Sequence, residues 1–440
     1  MKISLKWIKD YVDVGISAER LAHKLTMAGM EVEKISSVNG DTVLDLEITP
    51  NRPDCLNMLG LARELSAILE KDLRLPAIPP LGKISARCAV EIEDRNDCPR
   101  YIGTVIDGVK VQPAPARMRG YLSALGGRAI NNIVDITNFC LLETGQPLHA
   151  FDYDKLAGGK IFVRRAREGE TLITLDGVER VLNTGILVIA DAERPVALAG
   201  IMGGLHSEVT ASTRRILLES ASFDPVLIRR ASRSLGLTSD AAYRFERGVD
   251  MAMVDRAAAR AVALILQQAG GDILSRRDVT PARKKILRRP VAVSHEQIAA
   301  VLGTAIPAAQ SRRILKKLGF MVTQDRRQRL VVTPPTFRGD IHRDVDVIEE
   351  IARVIGYDQL PASLPRVRIS HIPEQGARAV KAEARDTFVA QGFSEVISYS
   401  LINADNLVLA GQGRLSGVRV QNPLSRDQEM LRPTMLPSLL

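Results

Sequence analysis

Apolar positions in this chain alternate between stretches with helical spacing and short compact runs that suit strands. Ser17 with Glu19 two residues on predicts the capped start of an amphipathic helix, and residues 43–49 (VLDLEIT) predict a strand. The turn Pro50-Asn-Arg-Pro-Asp54 leads to a second helix ending near Leu69, and the Pro-rich stretch 75–82 predicts a linker with a boundary near residue 85. From 86 to 275, short strands alternate with helices; the last helix has Asp250 as its cap, alanines through 257–263, and Gly270 as its stop. The basic run 283–289 reads as a solvated linker. Within 290–365, Ser294 and Gln297 form a capping box closed by Gly303, and a second helix starts at Pro307 and stops at Gly319. Ile314, Leu315 and Leu318 give that helix an apolar face, Arg312, Arg313, Lys316 and Lys317 lie elsewhere on it, and strands at 320–323 and 330–333 complete a winged-helix-like pattern. The segment 366–440 predicts a helix at 378–391 and a strand at 395–400.

A chain of 440 residues exceeds one core and predicts roughly three or four units. Lys+Arg of 60 against Asp+Glu of 51 leaves +9, which suits a polyanionic partner and equally serves solubility. An aromatic content of 4% argues against a base-stacking surface. Cys55, Cys88, Cys98 and Cys140 show neither paired spacing nor His partners, which argues against zinc and a disulfide framework and fits a reducing cytoplasm. Charges at Lys2, Lys6, Lys9 and Asp10 interrupt any apolar leader, and the most apolar stretch, 185–204, is broken by charges and Pro195, so neither signal peptide nor membrane span is expected.

Candidate chemistry concentrates in four segments: Asn132-Ile-Val-Asp-Ile-Thr-Asn138 running on to His149 and Asp152; Ala199-Gly-Ile-Met-Gly-Gly204; Leu217-Leu-Glu219; and Ser239-Asp-Ala-Ala-Tyr-Arg-Phe-Glu-Arg-Gly248. Hydroxyl, amide, imidazole and carboxyl groups set among apolar residues describe a polar pocket in a core. Residue spacing alone also allows His149 and Asn138 to be satisfied core groups, with Glu219 paired to Arg244 or Arg247. In their order, these segments resemble the editing domain of the bacterial phenylalanyl-tRNA synthetase beta subunit. The resemblance implies an α+β multidomain protein: an N-terminal α/β domain (1–85), a mixed α/β tRNA-editing domain (86–275), a winged-helix-like domain (290–365), and the start of a non-catalytic class II synthetase-like domain (366–440), truncated before its sheet closes.

The same resemblance places Thr137, Asn138, His149, Gly200, Glu219, Ser239 and Ala241 in an editing pocket that hydrolyses tyrosyl-tRNA formed by mistake. An apolar synthetase pocket rejects an added hydroxyl poorly, so a second site is needed. There Glu219 would accept from the tyrosine phenol, His149, Thr137 and Asn138 would hold ester or water, Gly200 would admit the backbone, and Ala241 would leave room for the ring. Ser239 stands where the family often has threonine, which predicts looser specificity. No general base is assigned.

Asp346, Glu349 and Glu350 share one helical face near Asp340, an oxygen-only set that suits Mg2+, is neutralised by arginines such as Arg338 and Arg343, or else forms an exposed acidic helix. By resemblance they form a magnesium site toward an alpha subunit, which would use ATP to charge the phenylalanine tRNA within a heterotetramer of two alpha and two beta chains. No Walker, dinucleotide or HExxH motif occurs. An OB-fold insertion common in relatives is absent between Ile35 and Leu44, which predicts weaker tRNA binding. A freestanding deacylase acting in trans and a non-catalytic nucleic-acid-binding scaffold remain open alternatives.

Overall fold

The structure is a computed structural model that describes the chain apart from residues 82–83, 85, 281–287, 363, 365–366, 368–375 and 440; most of the basic run 283–289 thus lies outside the described residues. Two compact units are present, Met1–Ser363 and Leu364–Leu440.

The first unit begins with an antiparallel sheet in which Asp41–Leu46 lies between Lys2–Ser4 and Val32–Val38. The strand starts and ends slightly before the expected 43–49, as residue 47 onward turns toward the Arg52–Asp54 corner. Ser17 caps the helix Ala18–Met27 by accepting from the Arg20 amide, and Asn57 caps Met58–Ile68 by accepting from Gly60 at 2.7 Å.

Two sheets follow. One is antiparallel, with Asp272–Val279, Arg100–Asp107, Arg215–Ser222 and Leu148–Asp152 in that spatial order. The other runs Met202–Gly203, Pro195–Leu198, Leu187–Ala190, Lys160–Arg165 and Ala89–Ile92, its final pair parallel. Along Arg215–Ser222 the side chains alternate between two cores. Ile216 and Leu218 join the N-terminal residues and the helices Asn132–Thr144 and Met253–Gln268, whereas Leu217 and Ala221 face the second sheet. The apolar core is therefore continuous from Ile3 to Ile265 across the linker. Asp250 lies three residues ahead of Met253, where the last helix begins, and accepts from the Ala252 amide at 3.0 Å, so it shapes the approach instead of capping the first turn.

Within 290–365, the two helices and two strands that the pattern predicts form, joined by a further strand, Val291–Val293, and a further helix, Asp344–Ile355. Val291–Val293, Leu330–Thr333 and Met321–Gln324 make a sheet beside the helices His295–Leu302, Ala308–Lys317 and Asp344–Ile355, and the Ser294–Gln297 capping box is present. Part of the basic stripe is already engaged within the fold: Arg313 donates to Glu70 at 2.6 Å and Lys317 to the Lys71 carbonyl at 2.9 Å.

In the second unit, the helix Ala377–Ala390 buries none of its residues, and Ile402, Leu407 and Met430 form a small core. The expected strand at 395–400 is not formed; Leu401–Ile402 pairs with Met430–Leu431 instead. Ile397 and Tyr399 are exposed, and the segment meets its neighbour only at its end, where the Arg432 amide donates to the Ser400 carbonyl at 2.9 Å and the Arg432 guanidinium to the Ser398 hydroxyl at 2.6 Å. The α+β architecture is the one expected. Among the described residues no helix is long and apolar enough to cross a membrane.

Candidate active site

Between the two central sheets lies a cavity of about 290 Å³. Six of the expected residues line it: Asn138 from the helix Asn132–Thr144, His149 and Glu219 from neighbouring strands, Gly200 from the Gly-rich turn, and Ser239 and Ala241 from the start of the helix Asp240–Phe245. Leu141, Ile189, Ala197 and Leu198 make the remaining wall largely apolar. Thr137 stands outside the lining, its hydroxyl donating to the Val134 carbonyl of its own helix at 2.7 Å.

Glu219 sits directly opposite His149 in register, and alternation turns both toward the second sheet. The carboxylate does not pair with arginine: Arg244 binds Asp240 and the Leu56 carbonyl, and Arg247 binds Glu246. Its partner is Tyr101, fully buried, whose phenol donates to Oε2 at 2.8 Å. Burial raises the Glu219 pKa to about 7, while the Tyr101 bond works against that rise. His149 is pushed down to about 4 by burial, and its ring meets Phe151 edge-on at 4.5 Å. Burial thus disfavours the charged form of both groups, leaving the cavity with a neutral imidazole near neutral pH beside a carboxyl group whose ionisation is opposed.

Gly200 has φ +66°, and a Cβ there would lie 2.8 Å from the Phe245 ring and 3.0 Å from Phe223, so both the turn and the adjoining rings demand glycine. Gly203 is the residue that makes room inside: a Cβ there would fall 2.5 Å from His149 Cε1. Ser239 is occupied too. Its hydroxyl donates to the Ile201 carbonyl at 2.7 Å and accepts from the Ala242 amide at 3.1 Å, tying the Gly-rich turn to the helix it caps. Sequence reasoning missed Tyr101 and Gly203. Tyr101 falls in a strand that also carries Arg100, Thr104 and Asp107, so its hydroxyl does not stand out, and only strand register reveals its partner.

The acidic set behaves otherwise. Glu350 is buried between Arg338 and Arg353, which hold its carboxyl well below the usual range against the opposing effect of burial. Arg338 also grips Asp340 at 2.7 and 2.9 Å. Asp346 accepts from the His342 and Arg343 amides at 2.8 Å as a cap of its own helix, and Glu349 is exposed. With two of the four carboxylates gripped by guanidinium groups and a third serving as a cap, Asp340, Asp346, Glu349 and Glu350 do not fit a shared magnesium cage. Asp340 and Glu350 belong instead to a chain of buried ion pairs that runs on through Arg353 to Glu64 and through Arg52 to Glu64 and Asp54. Asp54, Cys55 and Glu64 group closely enough to hold a metal, but these arginines already compensate both carboxylates and burial raises the Cys55 thiol.

Comparison with known proteins follows the same lines. Residues 97–270 match the B3/4 domain family, 291–357 the tRNA synthetase B5 domain, and 360–440 the phenylalanyl tRNA synthetase beta chain CLM domain. The "Phenylalanine--tRNA ligase beta subunit" of Syntrophus aciditrophicus is 46% identical over 410 residues, covering 91% of this chain and 51% of the relative. That of Syntrophotalea carbinolica is 44% identical over 412 residues, with the same coverage of 91% and 51%. A solved N-terminal fragment of the phenylalanyl-tRNA synthetase beta-subunit from Pyrococcus horikoshii shows 17% identity and a TM-score of 0.46, covering 81% of this chain and 99% of that one. Spanning about half the length of the curated relatives it matches, the chain belongs to the phenylalanine–tRNA ligase beta-subunit family.

Proposed function

We propose that this chain acts within a phenylalanine–tRNA ligase as part of its beta subunit, and that the cavity between its central sheets hydrolyses tyrosine esterified by mistake to the phenylalanine tRNA. The observation that carries this reading is Glu219, buried in an apolar cavity and held through one oxygen by Tyr101. Its other oxygen is left for a substrate group. A tyrosine phenol satisfies it, donating to the carboxylate or accepting from the protonated acid; phenylalanine leaves it unpaired, which is how a site built for a hydroxyl rejects the analogue lacking one. His149, neutral, can accept from or donate to the ester. Asn138, exposed at the cavity lining, is placed to meet the incoming chain.

Charging of the tRNA with ATP falls to an alpha subunit, with which this subunit assembles as a heterotetramer in the cytoplasm. The exposed apolar side chains of the second unit, Ile397 and Leu424 among them, support a partner-binding subunit over a freestanding deacylase. The test is calorimetric binding of non-hydrolysable amide analogues of tyrosyl- and phenylalanyl-adenosine. Tighter binding of the tyrosyl analogue, lost in Glu219→Ala, is the expected result; equal binding of both by the folded chain sinks the assignment of Glu219.

A further inference from the structure

A second cleft, of about 140 Å³, lies on the other side of the segment that carries His149. Gly145 and Gln146 line it, and Pro147, Leu148 and His149, next along the chain, line the hydrolytic cavity. Its volume is well below the roughly 300–1,000 Å³ of pockets that engulf drug-sized ligands, so it suits a small group.

Arg63, Arg244, Arg247 and Arg288 face this cleft. Two acids also line it, but neither is free: Asp54 is paired with Arg52, and Asp250 accepts from Thr336 and the Ala252 amide. Arg63 is held with its guanidinium 3.6 Å over the Phe337 ring, makes no ion pair among the described residues, and has Nη1 buried without a hydrogen-bond partner. The Arg247 Nε is buried and unpartnered as well. Among the described residues, Arg288 donates one bond, to the Thr336 carbonyl, at 2.8 Å. Buried donors that stay unmatched are costly unless a ligand satisfies them, and guanidinium groups match a phosphate best. Gln146 adds an acceptor: it is 1% exposed, its amide nitrogen is bonded to the Pro147 and Ala221 carbonyls, and its Oε1 has no partner. A ribose hydroxyl next to a phosphate supplies the missing donor.

We propose that this cleft is a phosphate-binding site, and that it takes one phosphodiester of the RNA strand that carries the aminoacyl ester into the neighbouring cavity. The second clause rests on the function proposed above. Holding the strand one segment away from the ester fixes its entry without touching the reacting bond.

The test measures binding of the phenylalanine tRNA to the purified chain by fluorescence anisotropy across a salt series, for wild type, Arg63→Gln, Arg63→Lys and Arg288→Gln, each with its melting temperature. Inorganic phosphate is titrated in parallel, and tyrosyl-tRNA hydrolysis is followed for wild type and Glu219→Ala. Arg63→Gln is expected to weaken tRNA binding several-fold and to reduce the slope of log K against log salt by about one, with Arg63→Lys keeping the slope. Arg288→Gln gives the same readout should Arg63→Gln fail to fold. Phosphate that raises the melting temperature of wild type but not of Arg63→Gln, with tRNA binding unchanged, keeps the phosphate site and assigns it a free phosphate. Unchanged tRNA binding, salt slope and phosphate response overturn the proposal, even where Glu219→Ala abolishes hydrolysis. A slope change with no hydrolysis by wild type sinks the editing function instead and leaves the cleft.

Discussion

At the scale of single residues, the Tyr101 phenol holds the buried Glu219 carboxyl group. Because burial raises the Glu219 pKa from 4.5 to about 7, the folded state binds a proton that the unfolded chain has released over that interval. Stability therefore falls as pH rises from about 4.5 through 7, by up to about 3 kcal/mol for this group alone. Glu219→Gln is expected to flatten that part of the stability curve, measured by denaturant unfolding at pH 5 and pH 8; identical curves would show the carboxyl to be ionised in the fold. Tyr101→Phe removes the bond that favours the ionised form, so the Glu219-dependent limb of the pH–rate profile should move to higher pH. Gly203→Ala drives a methyl onto His149 and should destabilise by about 1–3 kcal/mol, read as a fall in unfolding midpoint.

At the scale of elements, the cavity depends on one hydrogen-bonded joint. Ser239 binds the Gly-rich turn through the Ile201 carbonyl and caps the helix Asp240–Phe245 through the Ala242 amide, so Ser239→Ala loses both contacts and should cost about 1–2 kcal/mol. Ser239→Thr keeps both bonds and should restore stability, a comparison that thermal melts can make. Much of this level was legible in the sequence. Ser17 and the Ser294–Gln297 box announce their helices because caps are local chemistry, and Leu330–Thr333 forms where its apolar pattern put it. Residues 395–400 misled, since strand composition says nothing about whether a partner strand lies alongside. Six cavity residues were found through ordered motifs, but Tyr101 required the register between Arg100–Asp107 and Arg215–Ser222, which joins residues more than a hundred positions apart.

Across the first unit, a ladder of buried charges ties the N-terminal helix Met58–Ile68 to Asp344–Ile355: Arg52, Glu64, Arg353, Glu350 and Arg338 in sequence. The acidic pattern at 340–350 and its neighbour Arg338 were visible in the sequence; the continuation of the ladder through Arg353 to Glu64 was not, because those two residues lie 289 positions apart. Glu64→Ala leaves Arg353 and Arg52 short of a buried partner and should destabilise by about 3–5 kcal/mol. Arg353 and Arg52 hold the Glu64 carboxyl, and Arg353 and Arg338 that of Glu350, below the usual carboxylate range despite burial. This contribution is present above a pH of about 4.5 and is lost as pH falls below it, the reverse of the Glu219 effect. The most direct measurement is hydrolysis of tyrosyl-tRNA and phenylalanyl-tRNA, both made on the phenylalanine tRNA, by wild type and Glu219→Ala side by side. Selective loss of the tyrosyl ester with wild type, and loss of that selectivity in the variant, is the predicted result. A folded variant that still discriminates tyrosine from phenylalanine as wild type does would contradict the account.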